Sequence, residues 1–229
     1  MPTIEFRGAT VAYDGRTVLA PLNLTLTERR IGIIGSNGSG KSTTVRLING
    51  LIEPTEGEVL VDGLSPTTDG KTVRKRVGFV FSDAESQIVM PRVADDVAFS
   101  LRRFKLPRAE VRARVDAVLE RFELADKAEN SPHTLSGGEK QLLALASVLV
   151  IEPETVIADE PTTLLDLRNR RRIIQELTAL DQQVIVVTHD LDMLASFDRV
   201  ICIDDSELVY DGAPQDAIAF YTDLMDSKP

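Results

Sequence analysis

Nine consecutive residues, Gly35-Ser36-Asn37-Gly38-Ser39-Gly40-Lys41-Ser42-Thr43, combine three glycines with one cation and two adjacent hydroxyls. They fit the phosphate-binding pattern G-x-x-x-x-G-K-[ST]. The apolar run Ile31 to Ile34 precedes them and the helical spacing Val45, Leu47, Ile48, Leu51 follows, which is the strand-loop-helix context the pattern requires. Glycines at 35, 38 and 40 let the backbone curl until successive N–H groups and the helix N-terminus face an anion. Lys41 then brings a cation to the β and γ phosphates of a nucleotide, and the Ser42 hydroxyl is a ligand for Mg2+. A dinucleotide loop does not fit, because G-x-G-x-x-G would need glycine where Thr43 stands.

A second group is the adjacent pair Asp159 and Glu160 at the end of the apolar stretch Thr155-Val-Ile-Ala. A buried strand ending there delivers both carboxylates to the sheet edge that carries the phosphate loop. Asp159 is placed to hold Mg2+ through its water shell, and Glu160 to orient and polarise the attacking water. An acidic pair after a strand is commonly a helix cap; the phosphate loop tips the reading towards chemistry. A third group, Leu135-Ser136-Gly137-Gly138-Glu139, opens a strongly apolar helix from Leu142 to Ile151 that must be buried almost all round. Ser136 can cap this helix while the N–H groups of Gly137 and Gly138 and the helix dipole face a second anion. A simple capping box of Ser136 with Glu139 accounts for the local pattern equally well.

LSGGE following a phosphate loop and preceding DEPT resembles the signature of the ABC ATPase family, and the likeness covers essentially the whole chain. The resemblance implies a P-loop NTPase core of α/β class that hydrolyses ATP with Mg2+. It also implies a head-to-tail dimer in which Gly35 to Thr43 of one subunit and Ser136, Gly137, Gly138 and Glu139 of the other enclose each nucleotide. In that arrangement Lys41 and Glu160 are catalytic, Tyr13 resembles the aromatic that stacks on adenine, and Asp166 in TTLLD resembles the residue contacting the opposite subunit. His189 in VVTHD resembles the γ-phosphate sensor. Without the family pattern, Tyr13 reads as a packing residue and His189 as structural; His133 receives no role.

One position departs from the family. The strand equivalent to Val77 to Phe81 is followed there by a glutamine that reaches towards Mg2+, whereas this chain has Ser82. The serine hydroxyl ends two bonds nearer the backbone, which predicts a metal contact through water. The following DAESQIV and VADDVAFSL resemble the energy-coupling-factor subgroup, importers of vitamins and of cobalt or nickel, with the biotin transporter favoured. Gln87 belongs to that later pattern and is no obvious replacement for the glutamine. The subgroup implies a transmembrane coupling protein and a small membrane substrate-binding protein as partners. Both halves of the composite site look intact, which favours a homodimer over a heterodimer.

These groups need a particular scaffold. Alternation in Ile4, Phe6 and then Val18, Leu22, Leu24, Leu26 predicts short antiparallel strands, and Ile31 to Ile34, Val77 to Phe81, Val156 to Ala158 and Val184 to Val187 predict buried ones. Lys41 and Asp159 lie 118 residues apart, where a simple crossover needs about 30. Helical spacing at Val111, Val115, Val118, Leu119 and Phe122 fills the gap. The expectation is one ATPase domain over residues 1–229 with an N-terminal antiparallel β subdomain, an α-helical subdomain inserted over 83–145, and a hairpin with a short helical cap over 200–229.

The formal charge of -10 argues against a bare nucleic acid or anionic lipid surface as partner. The longest strongly apolar stretch, Leu142 to Ile151, is half the roughly 20 residues of a membrane span. The N-terminal residues lack a secretion pattern, and the single Cys202 has no partner for an internal disulfide. The expected location is the cytoplasmic face of a membrane, held there by a protein. Two rivals are a soluble ABC ATPase acting on translation or DNA, and a nucleotide-switched regulator without turnover. The first lacks its usual tandem cassette or coiled-coil insertion, and Glu160 argues against the second.

Overall fold

The computed structural model describes residues 1–163 and 165–228; Leu164, inside the Thr162 to Asp166 stretch, and Pro229, the last residue of the expected cap, lie outside them. Strands β1 (Ile4–Tyr13) and β2 (Arg16–Leu26) form an antiparallel hairpin. Its two turn residues, Asp14 and Gly15, have φ of 50° and 78°, as a type I′ turn requires. The strands are ten and eleven residues long, not short, and Leu19 is buried where the alternation pointed to Val18. The reason is an irregularity beside Pro21: Ala9 pairs with Leu22 but Val11 with Leu19, and the extra residue on β2 reverses its facing.

Next come β3 (Arg30–Ile34), α1 (Lys41–Ile48), β4 (Glu56–Val61), α2 (Gly70–Arg76) and β5 (Val77–Val80). Four helices then precede the next strand: α3 (Ala84–Gln87), α4 (Val93–Leu101), α5 (Arg108–Arg121) and α6 (Gly137–Leu149). The chain continues with β6 (Thr155–Asp159), α7 (Leu167–Ala179), β7 (Gln183–Val187), α8 (Leu191–Leu194), β8 (Arg199–Asp204), β9 (Glu207–Gly212) and α9 (Pro214–Ser227). The first sheet has the order β2-β1-β4 and is antiparallel; the second has the order β5-β6-β7-β3-β8-β9, parallel except for the β8–β9 hairpin.

The second sheet is covered on both faces, which is why its central strands read as unbroken apolar runs. Ile157, Ile185, Val187, Ile31, Ile33, Ile201 and Ile203 pack with α1 and the antiparallel sheet. Their strand neighbours Val156, Ala158, Val184, Val186, Val200 and Cys202 pack with α4, α5, α6 and α7. Side chains alternate across the pleat, so one strand serves both layers.

Several sequence boundaries move. α6 starts at Gly137 and ends at Leu149; Val150 and Ile151 follow it but stay buried, because the layer above the sheet extends past the helix end. Leu51 leaves the α1 pattern and is exposed, since the helix stops at Ile48 before Gly50. The C-terminal helix is not short but spans fourteen residues. Strand β4 and helices α2 and α7 carry too few apolar residues to announce themselves: α7 buries only Ile173 and Leu177.

Candidate functional site

The parallel register puts the C-terminal ends of five strands in one row. Asp159 on β6 pairs with Val187 on β7, Val187 with Ile33 on β3, and Ile34 with Cys202 on β8. The residues that follow these strands therefore share one edge: Ser82 after β5, Glu160 after β6, Thr188 and His189 after β7, Gly35 after β3, and Asp205 after β8. Open parallel sheets bind ligands at this edge.

The phosphate loop depends on two of its glycines. Gly35 has φ +149°, and a Cβ there would lie 1.8 Å from the Ile203 carbonyl oxygen; Gly40 has φ +104°, and its Cβ would lie 2.6 Å from the Val18 oxygen. No other residue type fits either place. Lys41 Nζ donates to the Gly35 and Ser36 carbonyls at 2.9 and 2.7 Å, so the ammonium sits across the loop. Burial lowers the Lys41 pKa, with Glu160 and Asp159 acting the other way. Asn37 and Gly38 form the exposed crest, Ser39 is buried, and Ser42 and Thr43 are half-buried in the first turn of α1.

Asp159 is buried, at 2% exposure, and accepts two hydrogen bonds: from Ser42 Oγ to Oδ1 at 2.8 Å and from Arg46 Nη2 to Oδ2 at 3.1 Å. Arg46 was not anticipated, although its place four residues after Ser42 puts it on the same helix face. The Ser42 and Asp159 oxygens are the hard donors that Mg2+ prefers, and a Mg2+ carried by nucleotide phosphates needs only one or two such protein groups. Among the described residues no three or more His, Cys, Asp or Glu side chains form a self-sufficient metal cage.

Glu160 diverges from its neighbour. Its N–H donates to Val187 O at 2.9 Å, prolonging the β6–β7 ladder by one bond, and its own φ is then 51°. This left-handed turn carries the second carboxylate away from Asp159. Glu160 Oε1 lies 3.0 Å from His189 Nε2, and Oε2 accepts from Thr163 Oγ1 at 3.2 Å. The pair lines a cleft with Thr162, Thr163 and Thr188. Two adjacent carboxylates thus occupy different surroundings, one buried on the Ser42 hydroxyl and one facing an open imidazole.

Ser136 is the N-cap of α6, and the capping box is formed. Its Oγ accepts from Glu139 N at 3.4 Å and donates to Glu139 Oε2 at 2.9 Å, while its N–H donates to the same oxygen at 2.8 Å. Glu139 also pairs with Lys127, and chiefly this contact, with the Ser136 N–H, brings its pKa down to about 2. Gly137 is exposed with open space where a Cβ would stand, whereas a Cβ on Gly138 would lie 2.2 Å from Asn169 Cγ. Asn169 is held there by Asp166, the N-cap of α7, whose Oδ1 and Oδ2 accept from its N and Nδ2 at 2.8 and 3.1 Å. Ser136, Glu139, Asp166 and Asn169 line one cavity of about 1020 Å3. No hydrogen bond joins this group to the phosphate loop among the described residues.

Tyr13 ends β1 in an exposed position beside the hairpin turn, and Ser82 is exposed in the loop before α3. Gln87 is committed elsewhere: Oε1 accepts from Phe81 N at 3.1 Å and Nε2 donates to Ala144 O at 3.2 Å, fastening the end of β5 to α6.

The model of the ABC transporter family matches residues 19–163. A relative of Deinococcus radiodurans named as an ABC transporter ATP-binding protein is 54% identical over 97% of this chain and 98% of its own. The chain belongs to the ABC transporter ATP-binding family. Among its relatives, the biotin transport ATP-binding protein BioM of Rhizobium etli is 47% identical over 96% of this chain and 98% of its own. The energy-coupling factor transporter ATP-binding protein EcfA1 of Oceanobacillus iheyensis is 40% identical over 89% of this chain and 76% of its own. The solved structure of CbiO1 from Clostridium perfringens, described as part of the ABC transporter complex CbiONQ, superposes with a TM-score of 0.83 at 30% identity, covering 97% of this chain and 93% of that one. As an ABC ATP-binding domain the chain binds and hydrolyses ATP. No helix among the described residues is long and apolar enough to cross a membrane.

Proposed function

We propose that this ABC ATPase powers import by an energy-coupling-factor transporter of a vitamin, biotin first, or of cobalt or nickel. The observation that carries the catalytic part is the division of labour at one sheet edge: Ser42 on Asp159 beside Lys41, and Glu160 against His189. Gly35 to Thr43 bind the phosphates through backbone N–H groups and the α1 N-terminus, and Lys41 places positive charge there. Ser42 and Asp159 would hold Mg2+, which when bound would supply charge neutralisation at the phosphate oxygens. Glu160 accepts the proton of the attacking water and His189 orients at the γ phosphate. Ser136, Gly137 and Gly138 of a second copy close the site, with Asp166 at the contact, and Tyr13 lies under adenine. Ser82 acts on the metal through water.

The biotin, energy-coupling and CbiO relatives support the transport class. A transmembrane coupling protein holds the chain at the cytoplasmic face, and a small membrane protein binds the cargo. The segment 82–99, where Val89 and Phe99 expose 61% and 43% of their surface, faces the coupling protein. The test is co-expression with candidate membrane subunits, followed by uptake of labelled biotin, cobalt and nickel. ATP-dependent biotin uptake supports the reading; cobalt or nickel uptake instead moves it within the subgroup. Failure of any cargo to accumulate while ATP is hydrolysed overturns the transport class. Mixing Lys41→Ala with Ser136→Arg chains tests the shared site: each heterodimer retains one intact composite site, so partial activity returns.

A further inference from the structure

The turn that joins β8 to β9 is pressed against the phosphate loop. It has two residues, Asp205 and Ser206, with φ of 46° and 70°. Type I′ hairpin turns favour Asn and Gly, and two non-glycine residues hold this conformation only where the surroundings over-determine it. They do so here. Ser206 N donates to the Ser39 carbonyl at 3.2 Å, Ser206 O accepts from Ala20 N at 2.8 Å, and the Ile203 carbonyl occupies the space a Gly35 Cβ would take. Immediately before the turn, Asp204 is buried at 4% exposure, and its Oδ1 accepts from Ser36 Oγ at 2.7 Å.

Asp204 presents a difficulty, because it is a buried carboxylate one hydrogen bond away from a loop that must receive phosphate. A negative charge there opposes the ligand. Its other oxygen, Oδ2, pairs with the ammonium of Lys228, which follows α9 and also reaches Asp205 Oδ2 at 3.4 Å. Burial works against the ionised form of Asp204, yet Lys228 and Ser36 hold its pKa below the usual carboxylate value. Lys228 is in turn raised, chiefly by its hydrogen bond to Asp204.

We propose that Asp204 is a positioning residue that fixes the phosphate loop through Ser36, and that Lys228 is its charge partner, cancelling the carboxylate so that the loop can take nucleotide. The segment after α9 thereby sets nucleotide affinity from outside the catalytic residues. The inference rests on Gly35 to Thr43 being the phosphate site, which Lys41→Ala tests separately: normal nucleotide binding by that variant removes the premise. The experiment titrates fluorescent ADP with Mg2+ onto the full chain at low salt, with kcat and KM for ATP alongside. Lys228→Gln weakens ADP binding and raises KM about two- to fivefold, the range of an ion pair whose cation is open to solvent, with kcat unchanged. Salt diminishes the effect. Asp204→Asn keeps the Oδ1 acceptor and removes the charge, so adding Lys228→Gln to it changes nothing further. Asp204→Ala loses the acceptor and binds more weakly than Asp204→Asn, with thermal melting confirming that both are folded. An equal Lys228→Gln penalty in both backgrounds, no penalty at all, or equal binding by folded Asp204→Ala and Asp204→Asn overturns the proposal.

Discussion

Replacing Glu160 with glutamine separates catalysis from stability. The amide keeps the shape of the side chain and its left-handed backbone at φ 51°, which glutamine adopts no less easily than glutamate. What disappears is the ability to accept a proton. Loss of a positioned general base costs about 10²- to 10⁴-fold in rate, or ~2.7 to 5.5 kcal/mol of transition-state stabilisation. The structural cost is far smaller: the Glu160 and His189 side chains are 27% and 40% exposed, and a pair so open to solvent contributes at most about 1 kcal/mol. For a chain of 229 residues that is a melting shift of about 2–4 °C. The assay is phosphate release, ATP affinity and thermal melting for parent and Glu160→Gln, with sedimentation in Mg-ATP. Hydrolysis falls by at least about a hundredfold while ATP affinity holds, and an ATP-bound dimer accumulates. Hydrolysis at the parent rate refutes the role of Glu160. A large loss of melting temperature refutes the claim that the carboxylate is chemical rather than structural.

Other perturbations reach different parts of the site. Ser82→Ala slows ATP hydrolysis by no more than the about 10- to 100-fold typical of groups that support a metal only indirectly, whereas Ser82→Gln raises basal turnover; abolition of hydrolysis by Ser82→Ala at unchanged ATP affinity makes the hydroxyl a direct ligand. Gly138→Ala drives a methyl onto the end of the Asn169 side chain, which must swing away and give up its bond to Asp166 Oδ2, and destabilises the chain by about 0.5–1.5 kcal/mol, and Asn169→Ala in the same chain restores the melting temperature if that overlap is the cause. Glu139 has its pKa brought from 4.5 to about 2 chiefly by Lys127, so its contribution is present above pH 4.5 and is lost as pH falls towards 2. The melting difference between parent and Lys127→Gln therefore shrinks from pH 6 to pH 3; a constant difference shows that Lys127 acts through packing.

The chemistry of this chain was legible in short stretches of sequence because backbone conformation at those points admits few residue types. Gly35 and Gly40 sit where a Cβ would strike a carbonyl, so backbone shape dictates those two letters of the phosphate loop. The buried strands declare themselves because both faces of the parallel sheet are covered, leaving β3, β6 and β7 buried at every position and largely apolar. Helix α7 stayed silent, since two buried side chains among four arginines give no periodic signal, although it brings Asn169 onto Gly138 and Arg170 onto Asp190.

Which groups meet was decided by the tertiary structure. Sequence adjacency of Asp159 and Glu160 says nothing of their separation into a buried partner of Ser42 and an open partner of His189. That follows from one extra ladder bond to Val187 and a left-handed residue at the strand end. Gln87 likewise acquired its partners, the Phe81 N–H and the Ala144 carbonyl, only in the folded chain. The link from Lys228 through Asp204 to Ser36 spans most of the chain, and no local pattern encodes it. Local motifs fix backbone shape and side-chain type over a few residues. The parallel register of β5, β6, β7, β3 and β8 fixes which strand ends share an edge, and that register is set by burial summed over the whole sheet.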